Sequence, residues 1–136
     1  MSELARNKQA VARYIEAANR GDGRAIADMY APGGIHIVTG NTLISGTYTK
    51  EQMCDVAGQI LQAFPAGLTF RLGSMVAEGD KVFFEVESQG THHSGLDYNN
   101  FYMWAMQFRD GMVVKSKEYF DTEHTTAVLC GGQRKP

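Results

Sequence analysis

A phenol, an imidazole and a pair of carboxylates are the side chains of this sequence best placed to move protons. Glu85 and Glu87 stand two residues apart in a run with strand-like alternation, so both leave the same face of the strand, as a shared site requires. Carboxylates gathered in an apolar cavity cannot all ionise, and one of them would keep its proton and act as an acid. The same alternation also permits the opposite arrangement, with Val82, Phe84 and Val86 facing the cavity and the acids facing water. His36 alternates with Val38 in the run Ile35-His36-Ile37-Val38 and shares its side of the strand. An imidazole there is an acid or base near neutral pH, or a structural hydrogen-bonding group. Tyr14 falls on the apolar face of a helical pattern, which points its ring inward and leaves its hydroxyl in need of a partner, substrate or protein.

Other residues have the character of a pocket wall. Asn100, Tyr102, Trp104 and Met106 alternate along one strand and share a face, suited to an aromatic ligand bearing one or two oxygens, or to plain core packing. Val38 and Phe64 complete the expected substrate-binding set. His92 and His93 are adjacent, so in a strand they would point to opposite faces and not chelate one metal. Cys54 and Cys130 lie far apart without ligand spacing, and the expectation is of no metal and no cofactor.

The elements that must position these groups follow from periodicity and capping. Leu4, Val11, Tyr14, Ile15 and Ala18 make residues 3–20 an amphipathic helix stopped by Gly21, with Asp22 capping a short helix over 24–30. Pro32-Gly33-Gly34 breaks the pattern before a strand over 35–38. Thr49 with Gln52 forms a capping box for a helix that buries Met53, Val56, Ala57, Ile60, Leu61 and Phe64. From residue 68 the period becomes two, with strands expected over 68–77, 81–91, 99–108 and 112–121. The short turns Gly79-Asp80 and Asp110-Gly111 make an antiparallel meander. Asp121 reads as an edge or interface residue, or as the cap of a tail helix over 122–129. The fold class is α+β, one domain over 1–130 with a flexible tail over 131–136.

Val82-Phe83-Phe84 and Phe101-Tyr102-Met103-Trp104-Ala105-Met106 are apolar on both faces of their strands. Helices cover one face of such a sheet, and a second copy of the chain is the simplest cover for the other, which predicts a homodimer. The net charge of −2 and the scatter of basic residues among acids exclude the basic stripe of a nucleic-acid binder. No apolar run approaches the ~20 residues of a membrane span, and the start lacks the apolar core of a secretory signal. Isolated thiols then point to the cytoplasm.

In its order of elements the sequence resembles the nuclear transport factor 2-like superfamily, in the SnoaL-like and ketosteroid-isomerase-like branch. The local matches are residues 13–22 ending in Asn19-Arg20-Gly21-Asp22, Ser45-Gly46, Glu78-Gly79-Asp80-Lys81-Val82, and residues 109–114 followed by Glu118-Tyr119-Phe120-Asp121. The resemblance implies a cone in which N-terminal helices pack on the concave face of a curved antiparallel sheet around a pocket for a small hydrophobic or aromatic molecule, with dimers through the convex face. It implies an oxyanion donor at Tyr14, but Val38 and Trp104 stand where ketosteroid isomerases carry acids, so that reaction by its usual route is not expected. Comparison with limonene epoxide hydrolases places their Asp-Arg-Asp set on Glu85, Glu87 and Glu118, with an acid in place of the Arg. Scytalone-dehydratase-like relatives suggest Tyr14 and His36 with one of His92 and His93. Together these imply a cofactor-independent lyase, dehydratase or isomerase using Tyr14, His36, Glu85, Glu87 and Glu118. The alternatives are a non-catalytic binding protein and an epoxide-hydrolase-like enzyme with an altered set.

Overall fold

The computed structural model describes all 136 residues. Helix α1 (Glu3–Asn19) starts on Ser2, whose Oγ accepts from the Ala5 amide, and buries Val11, Tyr14, Ile15 and Ala17. The helix is fastened to the sheet edge by Asn19, whose side-chain amide donates to the Phe70 carbonyl at 2.9 Å and accepts from the Phe70 amide at 2.7 Å. One amide side chain thereby does what a neighbouring strand would do. Gly21 takes φ +69° to turn the chain, and Asp22 caps α2 (Gly23–Asp28) through the Ala25 amide.

Strand β1 (Tyr30–Val38) is longer than the sequence suggested. Pro32-Gly33-Gly34 does not end it but sits in a register shift between Tyr30 and Ile35. Tyr30, expected at the end of a helix, therefore becomes the first residue of a strand. A short strand β2 (Gly46–Thr49), not anticipated, pairs antiparallel with β1. The Thr49–Gln52 capping box opens α3 (Lys50–Gln62), which stops before Phe64. Strands β3 (Thr69–Glu78), β4 (Lys81–Gln89), β5 (Phe101–Arg109) and β6 (Met112–Phe120) form the meander. The β5–β6 turn has positive φ at both Asp110 and Gly111, the pairing that suits a tight hairpin. Asp121 accepts from the His124 amide and caps α4 (Thr122–Val128).

The six strands run in the order β2-β1-β6-β5-β4-β3. All neighbours are antiparallel except β1 and β6, a parallel pair that the hairpin signals gave no means of finding. The parallel pair assembles the polar part of the interior, because it sets His36 opposite Ser116 and Val38 opposite Glu118. The main core joins Val11, Tyr14 and Ile15 of α1 to Tyr30, Val82, Phe84, Val86, Met106 and Val113 of the sheet. Phe64, Leu68, Tyr98 and Val128 form a smaller cluster under the other end.

Candidate active site in the cone

Cross-strand register brings the inward side chains into rows. Phe84, Trp104, Glu118 and Val38 are successive partners across β4, β5, β6 and β1, and Val82, Met106, Ser116 and His36 make the next row. The α-helical side closes over these rows and leaves a cavity of about 130 Å³. Of the 22 residues around it, all but His36 and Glu118 are hydrophobic or aromatic. A space of that size is roughly ten times what one water needs, and its wall offers water few partners.

The two polar residues meet. His36 Nε2 lies 3.3 Å from Glu118 Oε1, with side chains only 4% and 14% exposed. The other ring nitrogen, Nδ1, is 2.6 Å from Ser116 Oγ. Ser116 Oγ is 2.6 Å from the Tyr30 hydroxyl, which is 2.8 Å from that of Tyr14. Trp104 stacks on Phe84 and packs against both the Tyr14 and His36 rings, with centroids 5.7 and 5.0 Å away. Glu118 is held by its own backbone: its carbonyl accepts from the Thr39 amide and, at 2.6 Å, from Thr39 Oγ1.

Charge and burial act on the surrounding phenols. Burial first, then the Tyr30 phenol and Glu118, hold the Tyr14 hydroxyl well above the ordinary tyrosine range. Burial likewise raises Tyr30, although its bonds to Ser116 and Tyr14 pull the other way. Tyr48, Tyr98 and Tyr102 are also raised, chiefly by burial, and Glu118 contributes to each. One carboxyl group thus faces a ring of five phenols that stay protonated at neutral pH.

The placement of the remaining candidates differs from the sequence reading in several ways. Val38, Tyr102 and Trp104 line the cavity with Tyr14, His36 and Glu118. Glu85 and Glu87 do not. Val82, Phe84 and Val86 are buried on the inner face of β4, which puts both acids on the outer face, where Glu87 pairs with Arg71. Burying three apolar side chains outweighs sheltering two charges, so the hydrophobic set decides the face. Of the three carboxylates compared with epoxide hydrolases, only Glu118 reaches the cavity, and that set is not assembled.

Asn100 is buried but is occupied in joining elements: Nδ2 donates to Thr125 Oγ1, the Tyr98 hydroxyl and the Asp121 carbonyl, and Oδ1 accepts from the Phe101 amide. Phe64 lies just beyond α3 in the smaller cluster, and Met106 is packed in the main core. His92 and His93 sit in a turn after β4 rather than in a strand, with rings 4.1 Å apart, and His92 packs on Phe64 away from the cavity lining. No three His, Cys, Asp or Glu side chains converge as a metal would require.

The sequence profile of the SnoaL-like domain matches residues 11–116. The chain belongs to the SnoaL-like domain family, within the NTF2-like superfamily. Solved structures share the fold at low identity. A proposed isomerase from Bacillus subtilis superposes with a TM-score of 0.84 at 16% identity, over 96% of this chain and 97% of that one. A proposed SnoaL-like polyketide cyclase from Jannaschia sp. CCS1 gives 0.76 at 20% identity, over 94% and 95%. TerC, crystallised with polyporic acid, gives 0.79 at 16% identity, over 91% and 98%. Among curated proteins none matches.

Within this SnoaL-like domain, sequence reasoning missed Tyr30 and Ser116. Ser116 carried a usable signal, since it precedes Glu118 by two residues and so shares its face. Tyr30 carries none, because the local pattern places it in a helix.

Proposed function

We propose that this SnoaL-like domain is a cofactor-independent acid–base enzyme acting on a small hydrophobic or aromatic molecule, of the lyase, dehydratase or isomerase kind. The observation that carries the reading is the His36–Glu118 pair, the one imidazole and the one carboxyl group in an otherwise hydrophobic and aromatic cavity. A carboxylate and an imidazole in contact offer a base and an acid within reach of one ligand, and Tyr14 supplies a hydroxyl beside them. Such a site has no need of a bound group to exchange protons with a substrate. Val38 and Trp104 flank Glu118 in register, so the cavity carboxylate stands on the strand between the two positions compared with ketosteroid isomerase acids. Co-crystallisation of TerC with polyporic acid supports an organic ligand for the cone.

The test compares wild type with Glu118→Gln. Aromatic ketones and phenols should still quench Trp104, the only tryptophan, in both proteins. Turnover of a substrate found in such a panel should fall ~10²–10⁴-fold in the variant, the usual contribution of one proton-transfer group. Equal turnover in both would refute the role of Glu118. Binding without turnover in either would favour the second reading, a sequestering protein, which the hydrophobic lining alone would also suit.

The outer sheet face suits a second copy. Val76, Phe83, Phe101, Met103 and Tyr119 are each at least 43% exposed there. On either side of β5, β4 presents Glu85 and Glu87 while β6 presents Lys115 and Lys117.

A further inference from the structure

Tyr14 and Glu118 both line the cavity, and they are joined a second time behind its wall. The connection runs from Tyr14 through Tyr30, Ser116 and His36 to Glu118, with contacts of 2.8, 2.6, 2.6 and 3.3 Å. Tyr30 and Ser116 are fully buried, so no solvent interrupts the line. Each hydroxyl has one proton to give. The Ser116 proton can go to His36 or to Tyr30, not to both, and its choice forces the choices of Tyr30 and Tyr14 in turn.

We propose that Tyr14, Tyr30, Ser116, His36 and Glu118 form one reversible proton wire with both ends in the cavity, whose direction is set by the tautomer of His36. With the proton on Nε2, His36 donates to the Glu118 carboxylate and its Nδ1 accepts from Ser116. Ser116 then accepts from Tyr30 and Tyr30 from Tyr14, and Tyr14 shows the cavity a lone pair. With the proton on Nδ1 the three links from His36 to Tyr14 reverse, Nε2 turns a free lone pair toward Glu118, and Tyr14 shows the cavity its O–H. An ionised Glu118 favours the first state while the cavity is empty. A ligand carbonyl at Tyr14 favours the second.

The wire rests on the acid–base reading above and narrows it to a substrate class: an enolisable ketone or its enol, with oxygen at Tyr14 and the acidic C–H at Glu118. Starting from the Nδ1–H state, Glu118 removes the proton and the C–H electron pair becomes the C=C bond. The carbonyl π pair moves to oxygen, which takes the Tyr14 proton. Tyr14 is refilled from Tyr30, Tyr30 from Ser116 and Ser116 from Nδ1, while Nε2 receives the proton from Glu118. Ketone has become enol, and the protein has gained and lost no proton. Tyr30 and Ser116 touch no ligand in this scheme and act as positioning residues.

The test is ¹⁵N-histidine NMR, which distinguishes the two tautomers of His36, with the Trp104 indole signal reporting occupancy. The probes are 2-tetralone as the ketone and 2-naphthol as the hydroxyl compound. In wild type His36 should be Nε2–H when free or bound to 2-naphthol and should switch to Nδ1–H with 2-tetralone. In Tyr30→Phe and in Ser116→Ala, 2-tetralone should still perturb Trp104 while His36 remains Nε2–H. A bound ketone that leaves the wild-type tautomer unchanged overturns the wire, as does the same switch in both cut variants. Failure of 2-tetralone to enter the cavity overturns it too. A wild type that exchanges substrate protons through Glu118 without any tautomer switch keeps the acid–base reading and discards only the wire.

Discussion

Glu118 Oε1 lies 3.3 Å from His36 Nε2 inside a cavity where neither side chain is more than 14% exposed. The imidazole also meets Ser116 through its other nitrogen, so it satisfies two inward-facing polar groups at once. His36→Ala should therefore cost about 1–3 kcal/mol of stability, the usual penalty for leaving buried polar groups unpaired. Urea denaturation would measure it, and a cost under about 0.5 kcal/mol would mean that the pair is not held as described.

Alkaline pH tests the ring of phenols. Tyr14, Tyr30, Tyr98 and Tyr102 have raised hydroxyls in the folded state, chiefly through burial. The unfolded chain releases these protons near pH ~10, while the folded chain holds them longer. Stability should be unaffected by these groups below pH ~10 and should fall as pH rises above it, because the unfolded state then binds fewer protons. Ultraviolet titration should show the buried phenols Tyr14, Tyr30 and Tyr98 ionising only as the fold opens. These phenols titrating near ~10 with the fold intact would contradict this.

Filling the cavity should separate binding from folding. Val38 borders Glu118 in register and lines the space. Val38→Phe should abolish quenching of Trp104 by aromatic ligands while changing stability by no more than about 1 kcal/mol, since its added atoms enter room that already exists. Unchanged affinity in a folded variant would place the ligand elsewhere.

The outer face makes a separate prediction. Sedimentation equilibrium at micromolar concentration should find a species of about 30 kDa, twice the 15.0 kDa chain. Phe101→Asp with Met103→Asp should return it to a monomer without loss of helix or sheet signal. A wild type of only 15 kDa would rule out this assembly.

Much of the fold was legible because local chemistry repeats it. Asp22, the Thr49–Gln52 box and Asp110-Gly111 each mark an element boundary that the structure keeps. The site was less legible, for two physical reasons. On β4 the alternation admits two faces, and only the buried bulk of Val82, Phe84 and Val86 decides between them. The parallel β1–β6 pairing joins residues some eighty positions apart, so nothing local announces that His36 meets Ser116 and Glu118. Asn100 shows the converse problem. Its strand face follows from the alternation, but a buried amide suits a helix-to-strand tie as well as a ligand, and here it ties α4 to the sheet.

The most direct measurement is deuterium incorporation at the acidic carbon of 2-tetralone in D₂O, followed by proton NMR, with Trp104 fluorescence confirming that the ketone is bound. Wild type should exchange the proton faster than buffer, and Glu118→Gln should lose ~10²–10⁴ of that acceleration while still binding. Exchange at the buffer rate by an occupied wild type, or equal acceleration by both proteins, would contradict the assignment of Glu118 and His36 as the acid–base pair.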